Sequence, residues 1–365
     1  MVELGAQCPI HFVGSVPLGS IAEVLTTISA SAAGARVSRL PDGELGGKKG
    51  YVSNQRATFE RLDAFQPGAP RSDWRSLNSG IQQFALKSQK DVPTAAEIGE
   101  LGHARWAMEA YETFRGLKQR GLVRKDARLK VAMPSAYGVL SFFVEPESVP
   151  ALLPTFVAAI GAEIGRIARQ IPHDQIAIQI DASMEFEALA SGDARFMPIS
   201  IGEAAGQLAQ LGATVAGDIE LGFHCCYGNM NLKHYVEPKD TGDMVAVINA
   251  VCSRLGRPMN FVHMPVPIDR SDDAYFEALK DFKPGASAEL FLGLVHDTDG
   301  LSGALARAAA ARRAYERFGV GTECGLNHRS RDNVLQIITL LGEVADALSP
   351  DMPLPDMASA ATTSR

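Results

Sequence analysis

The sequence is short of cysteine, has no block of positive charge and has no long apolar run, and each shortage removes a class of protein. Five cysteines in 365 residues are an odd, sparse set, which argues against a disulfide framework and leaves thiol or metal chemistry as their better use. No apolar stretch reaches the roughly 18 to 20 residues of a membrane span. The opening "MVELGAQCPIHFVGS" lacks the basic and apolar regions of a secretory signal. A cytoplasmic protein without a membrane partner is expected. A formal net charge of -7 and the lack of a Lys/Arg run argue against nucleic acid as a ligand. No G-x-G-x-x-G follows the first apolar run, and "VGSVPLGS" has the wrong spacing for a dinucleotide or phosphate loop. A small-molecule ligand remains.

What is present is a regular alternation. With 46% hydrophobic residues the chain can build a large core, and short β-rich apolar runs alternate with longer segments of helical period, the pattern of an α/β fold with parallel strands. Eight runs read as strands: "IHFVGSVPL", "RVSRLPDGE", "RLKVAMPSAYG", "IAIQIDASME", "IELGFHCCYG", "PMNFVHMPV", "ELFLGLVHD" and "VGTECGLNH". Several of the helical segments between them open on Ser, Thr or Asp caps. Eight parallel strands with helical crossovers predict a (β/α)8 TIM barrel, a fold of about 200 to 400 residues. One domain over residues 1–348 is expected. The stretch of about 45–126, after strand 2, is too long for a simple connection and reads as a helical insertion that caps the barrel mouth. The segment 349–365 reads as a disordered tail.

In such a barrel the active site lies at the C-terminal ends of the strands. Unusual polar residues gather there: Ser15 after the first run, Asp42 and Glu44 after the second, Asp181 and Glu185 after the fourth, His224, Cys225 and Cys226 after the fifth. His263 follows on the sixth, His296 and Asp297 on the seventh, Glu323 and Cys324 on the eighth. Because strand side chains alternate between faces, His224 and Cys226 share one face and Cys225 turns toward the helices, where a free cysteine packs as a small apolar residue. An imidazole and a thiolate are donors that Zn2+ prefers, and Cys324 would complete a three-ligand site with an open fourth position. Such a site binds a substrate thiol as thiolate. Alone, an H-x-C pair is a weak signal, lone histidines are more often structural, and Asp42, Glu44 and Ser15 could serve only loops. Their convergence at one rim is what favours function.

The motifs "VGSVP", "DGE", "IQID", "HCCYGN", "GLVH" and "ECGLNHR", in that order along the chain, resemble the zinc barrel of cobalamin-independent methionine synthase and its single-barrel relatives in the uroporphyrinogen decarboxylase/methionine synthase-like superfamily. The resemblance implies Zn2+ held by His224, Cys226 and Cys324. It also implies a small-molecule thiol whose polar groups are held by Ser15, Glu44 and Asp181, with His296 near the reacting thiol. Asp42 and His263, at the same strand ends, are further candidate substrate contacts, and His296, Glu44 and Asp181 are the candidate catalytic groups. Two positions differ from the methionine synthases. Where they carry a further glutamate ligand after the sixth strand, "MNFVHMPVP" offers His263, as ligand, support for a ligand, or substrate contact. Where they have glutamate and proline after the aspartate, this chain has "QIDASME". The second, N-terminal barrel that helps bind folate in full-length methionine synthases is not expected, which leaves a corrinoid, another small methyl donor or an epoxide as the alkyl source.

The expected function is therefore a zinc-dependent transferase that moves a methyl or other alkyl group to or from a small thiol. Two alternatives stand beside it. One is a metal-free decarboxylase or lyase on the same barrel, for which Arg36 and Arg39 would recognise an acidic substrate. The other is a non-catalytic small-molecule or zinc-binding protein.

Overall fold

The computed structural model describes residues 7–70, 82–191, 198–229, 232–285 and 288–349. Most of the segment expected to be a disordered tail, residues 350–365, lies outside them. Ten strands occur among the described residues, in chain order: β1 Ile10–His11, β2 Arg39–Pro41, β3 Phe65–Pro70, β4 Gln82–Leu86, β5 Arg128–Pro134, β6 Ile176–Ala182, β7 Glu220–Cys225, β8 Phe261–Pro265, β9 Glu289–Val295 and β10 Gly319–Thr322. Eight of them form one parallel sheet in the order β1-β10-β9-β8-β7-β6-β5-β2. The two ends of that order meet just past their last residues, where Ser15 bridges Gly43 and the Val16 N–H donates to the Gly43 carbonyl at 3.0 Å. The result is a nearly closed (β/α)8 barrel, as the alternating pattern predicts, and each of the eight apolar runs supplies one strand.

The helices form the outer ring. Ile201–Ala213 starts from a capping box in which Ser200 and Glu203 satisfy each other's backbone N–H groups, and Ser330 caps Arg331–Ala347, so the cap residues do set helix starts. Val149–Gln170 buries Leu152, Phe156, Ile160, Ile164 and Ile167, one stripe at helical spacing; each such side chain contributes about 1.5 to 3 kcal/mol of burial. The segment Pro146–Gln170, which contains this helix, is long and apolar enough to cross a membrane by length and composition alone, but half of its apolar window is buried inside the fold. Between β2 and β5 lie short helical turns, the antiparallel hairpin β3–β4 and the helix His103–Gln119. That last helix packs between Ile21–Ala30 and Val149–Gln170 in the barrel's own outer ring.

The barrel interior is layered. Near the N-terminal ends of the strands Phe261 and Phe291 pack with Ala177, and the Arg39 guanidinium lies 4.4 Å from the centre of the Phe261 ring. Arg39 is ion-paired to Glu220 at 2.5 Å and Glu289 at 2.7 Å. Above this plug the interior turns polar, with buried His11, Lys130, Gln179 and His263. Gln179 Oε1 accepts from His11 Nε2 at 2.9 Å and from Lys130 Nζ at 3.0 Å, so His11, Lys130 and Gln179 satisfy one another.

Candidate functional site

Strand register builds the site. Asp181 on β6 is paired with His224 on β7, and His224 with His263 on β8; residues paired across neighbouring strands point to the same face, so the three form one layer at the top of the barrel interior. One residue on, Cys225 is fully buried in the main apolar cluster, and burial pushes its thiol far above the ordinary range. Cys226, two positions from His224, comes back to the inner side as alternation requires.

There it meets Cys324, carried by the loop after β10. The two sulfurs are 3.6 Å apart and Cys324 Sγ is 3.7 Å from His224 Nε2. The three donor atoms lie within 4.8 Å of one another. Tetrahedral zinc with Zn–S bonds of about 2.3 Å separates its sulfur ligands by roughly 3.8 Å, so the donor set and its spacing fit that ion. The hydrogen bond from Cys226 draws the Cys324 thiol well below the ordinary range, with His224 acting in the same direction, while the same bond raises Cys226.

These three residues share a cavity of about 450 Å3 with Ser15, Glu44 and Asp181. Glu44 holds a left-handed backbone, φ 53°, and its carboxyl faces Gly14, where a Cβ would stand 2.1 Å from Glu44 Oε1. Burial raises the Glu44 carboxyl to about 8; Lys48 opposes the rise, and Asp181 and Asp42 add to it. Asp181 is held from two sides, by Gln179 Nε2 at 2.7 Å and by the Tyr51 hydroxyl at 2.5 Å. Ser15 Oγ accepts the Asn327 N–H at 3.2 Å.

The remaining expected residues lie elsewhere. Asp42 is buried beneath the cavity, bonded to Lys48 Nζ at 2.7 Å and to the Glu44 N–H at 3.0 Å, so it shapes the Glu44 loop. His263 is fully buried behind His224, its Nδ1 2.9 Å from His224 Nδ1. His296 lines a neighbouring cavity with Cys324 and places Nε2 2.8 Å from the Val266 carbonyl; burial lowers its imidazole to about 4. Arg39 sits in the plug at the far end of the barrel, and Arg36 pairs with Asp346 at 2.6 Å. Neither lines the cavities described here. Tyr51 and Lys48 were not read from the sequence, since both lie in the segment after β2, which has no periodic pattern to place them. Gln179 was not read either, although it precedes Asp181 by two and strand alternation places it on the same face.

No known family and no curated protein matches the chain by sequence. Among solved structures it is similar to a B12-independent methionine synthase from Shewanella sp. W3-18-1, in complex with selenomethionine, with a TM-score of 0.57 and 13% identity over 93% of this chain and 97% of that one. It is also similar to a provisionally assigned vitamin-B12-independent methionine synthase from Listeria monocytogenes, with a TM-score of 0.54 and 11% identity over 93% and 98%. The fold is that of these two structures. Nearly the whole of each is covered, and the fold is the one that the motif resemblance implies.

Proposed function

We propose that this protein is a zinc-dependent transferase that moves a methyl or other alkyl group to or from a small thiol. The observation that carries the reading is the joining of His224, Cys226 and Cys324 with Ser15, Glu44 and Asp181 around one cavity. His224 Nε2 and the two sulfurs would hold the ion. When bound, Zn2+ supplies a Lewis acid that keeps a thiol ligand deprotonated near neutral pH. The chain's own residues do the rest. Glu44, protonated below about pH 8, donates a hydrogen bond to the acceptor. Asp181, fixed by Tyr51 and Gln179, accepts one, so together they orient an acceptor that carries both kinds of polar group. The likeness in fold to methionine synthase structures supports the same chemistry. Nothing comparable favours the decarboxylase reading, because Arg39 is committed to Glu220 and Glu289 away from the cavities.

The test is elemental analysis of protein purified without chelators, followed by mass-spectrometric screening of thiols with alkyl donors. About one zinc per chain and thiol-dependent product are expected. Metal-free protein that still turns over would sink the proposal.

A further inference from the structure

A second cavity, of about 580 Å3, opens beside the first, and Cys324, Gly325 and Asn229 line both. Asn229 Nδ2 donates to the Gly325 carbonyl at 2.8 Å, so this hydrogen bond and the Cys324 side chain form the partition. The transferase reading needs two substrates, and the cavity around Glu44 and Asp181 accommodates one. Resting on that reading, we propose that the second cavity seats the alkyl donor, and that the donor is an onium compound, a sulfonium or a quaternary ammonium.

Charge is the first reason. Four carboxylates, Glu237, Asp269, Asp297 and Glu323, line the cavity against the cations Lys233 and Arg329. His234 lies 3.0 Å from both Glu237 and Glu323, so His234 and Glu323 offset one another, and the three remaining carboxylates outnumber the two cations by one. Arg329 is engaged with Asp297 Oδ2, while Asp297 Oδ1 is buried without a hydrogen-bond partner among the described residues. A buried acceptor of this kind favours a cation and repels an anionic donor. Shape is the second reason. Leu232 and Ile268, each 43% exposed, stand in the same lining. Carboxylates beside exposed apolar side chains match a cation sheathed in alkyl groups, which has no N–H to donate.

Proton supply is the third. A carbonyl only accepts, so His296 Nε2 carries the proton that points at Val266, and its other ring nitrogen offers a lone pair. This histidine has no acid proton for a leaving group. An onium donor requires none. The thiolate sulfur attacks the alkyl carbon and a new S–C bond forms as the C–S+ or C–N+ bond breaks. The bonding pair leaves on sulfur or nitrogen as a neutral thioether or tertiary amine. The thiolate charge and the onium charge cancel, and nothing is oxidised or reduced.

Calorimetry on the full-length, zinc-loaded protein tests this with choline, its sulfonium analogue (2-hydroxyethyl)dimethylsulfonium, and the neutral isostere 3,3-dimethylbutan-1-ol. Both cations are expected to bind at least about tenfold more tightly than the alcohol, and Asp297→Asn and Asp269→Asn to erode that preference while Glu44→Gln preserves it. Asp269 is exposed, so its variant keeps the test open should Asp297→Asn fail to fold. Methyl transfer to a thiol from one cation and not the other identifies the source. Equal binding of cation and alcohol, or a preference lost in Glu44→Gln instead, overturns the inference. Cation binding in protein that takes up neither zinc nor thiol would overturn the transferase reading and leave the cation site standing.

Discussion

His224 and His263 face each other through their Nδ1 atoms at 2.9 Å, and this contact fixes the direction of both rings. Burial holds His263 neutral, so one Nδ1 donates and the other accepts. If His224 donates, its Nε2 keeps the lone pair that faces Cys324. His263 Nε2 then carries the proton, buried and without a hydrogen-bond partner among the described residues. Space for this arrangement is built in: a Cβ at Gly293 would stand 3.0 Å from His263 Nε2. Supports of this kind contribute about 10 to 100-fold to metal affinity. His263→Ala is therefore expected to weaken zinc binding by about that factor in a chelator competition. Unchanged affinity would show that His263 only packs.

The adjacent cysteines should separate cleanly. Cys226→Ser and Cys324→Ser each remove a soft donor from a three-residue set and are expected to lose zinc and thiol turnover. Cys225→Ala is expected to keep the metal and to cost about 1 to 2 kcal/mol in urea unfolding, the loss of a small buried group. Zinc loss in Cys225→Ala would contradict the strand alternation on which the assignment rests.

That alternation marks what the sequence makes legible. An H-x-C spacing and eight apolar runs with polar ends are local patterns, and they placed the strands and the His224–Cys226–Cys324 set. Register is not local. Whether His263 would serve as ligand, as support or as substrate contact depended on its lying opposite His224 across β7 and β8, which no spacing within "MNFVHMPVP" states. Tyr51 reaches Asp181 across 130 positions from a segment without period. The hairpin β3–β4 was missed for a related reason. "FQPGAP" carries two prolines and a glycine, and "QQFAL" has little alternation, so neither reads as a strand until the other is beside it. His296 sits at a strand end as read, but its side chain turns into the neighbouring cavity.

Gly14 offers a test of Glu44 that leaves the metal alone. A methyl group there would stand 2.1 Å from Glu44 Oε1, and the group that must yield is the end of a flexible side chain. Gly14→Ala is thus expected to fold and bind zinc while displacing the carboxyl, with kcat/KM for the acceptor falling by roughly 10 to 100-fold. Unimpaired turnover would remove Glu44 from the acceptor site.

The same carboxyl predicts a pH dependence of stability. Its ordinary value is 4.5, and in the folded protein burial raises it to about 8. Between those values the folded chain holds a proton that the unfolded chain has released. The stabilisation is therefore complete below about pH 4.5 and is lost as pH rises through about 8. Lys130, lowered from 10.5 to about 8 by burial, acts in the opposite direction above about pH 8, and it is present in both the wild type and Glu44→Gln. Urea midpoints for the wild type and Glu44→Gln, measured from about pH 5 to 9, isolate the group, because glutamine cannot titrate. The wild type is expected to lose stability relative to the variant across this range, and its turnover should decline above about pH 8 as Glu44 loses the proton it donates. A constant difference between the two proteins would mean that Glu44 is ionised throughout, and the pairing of one donor and one acceptor at the acceptor site would fall with it.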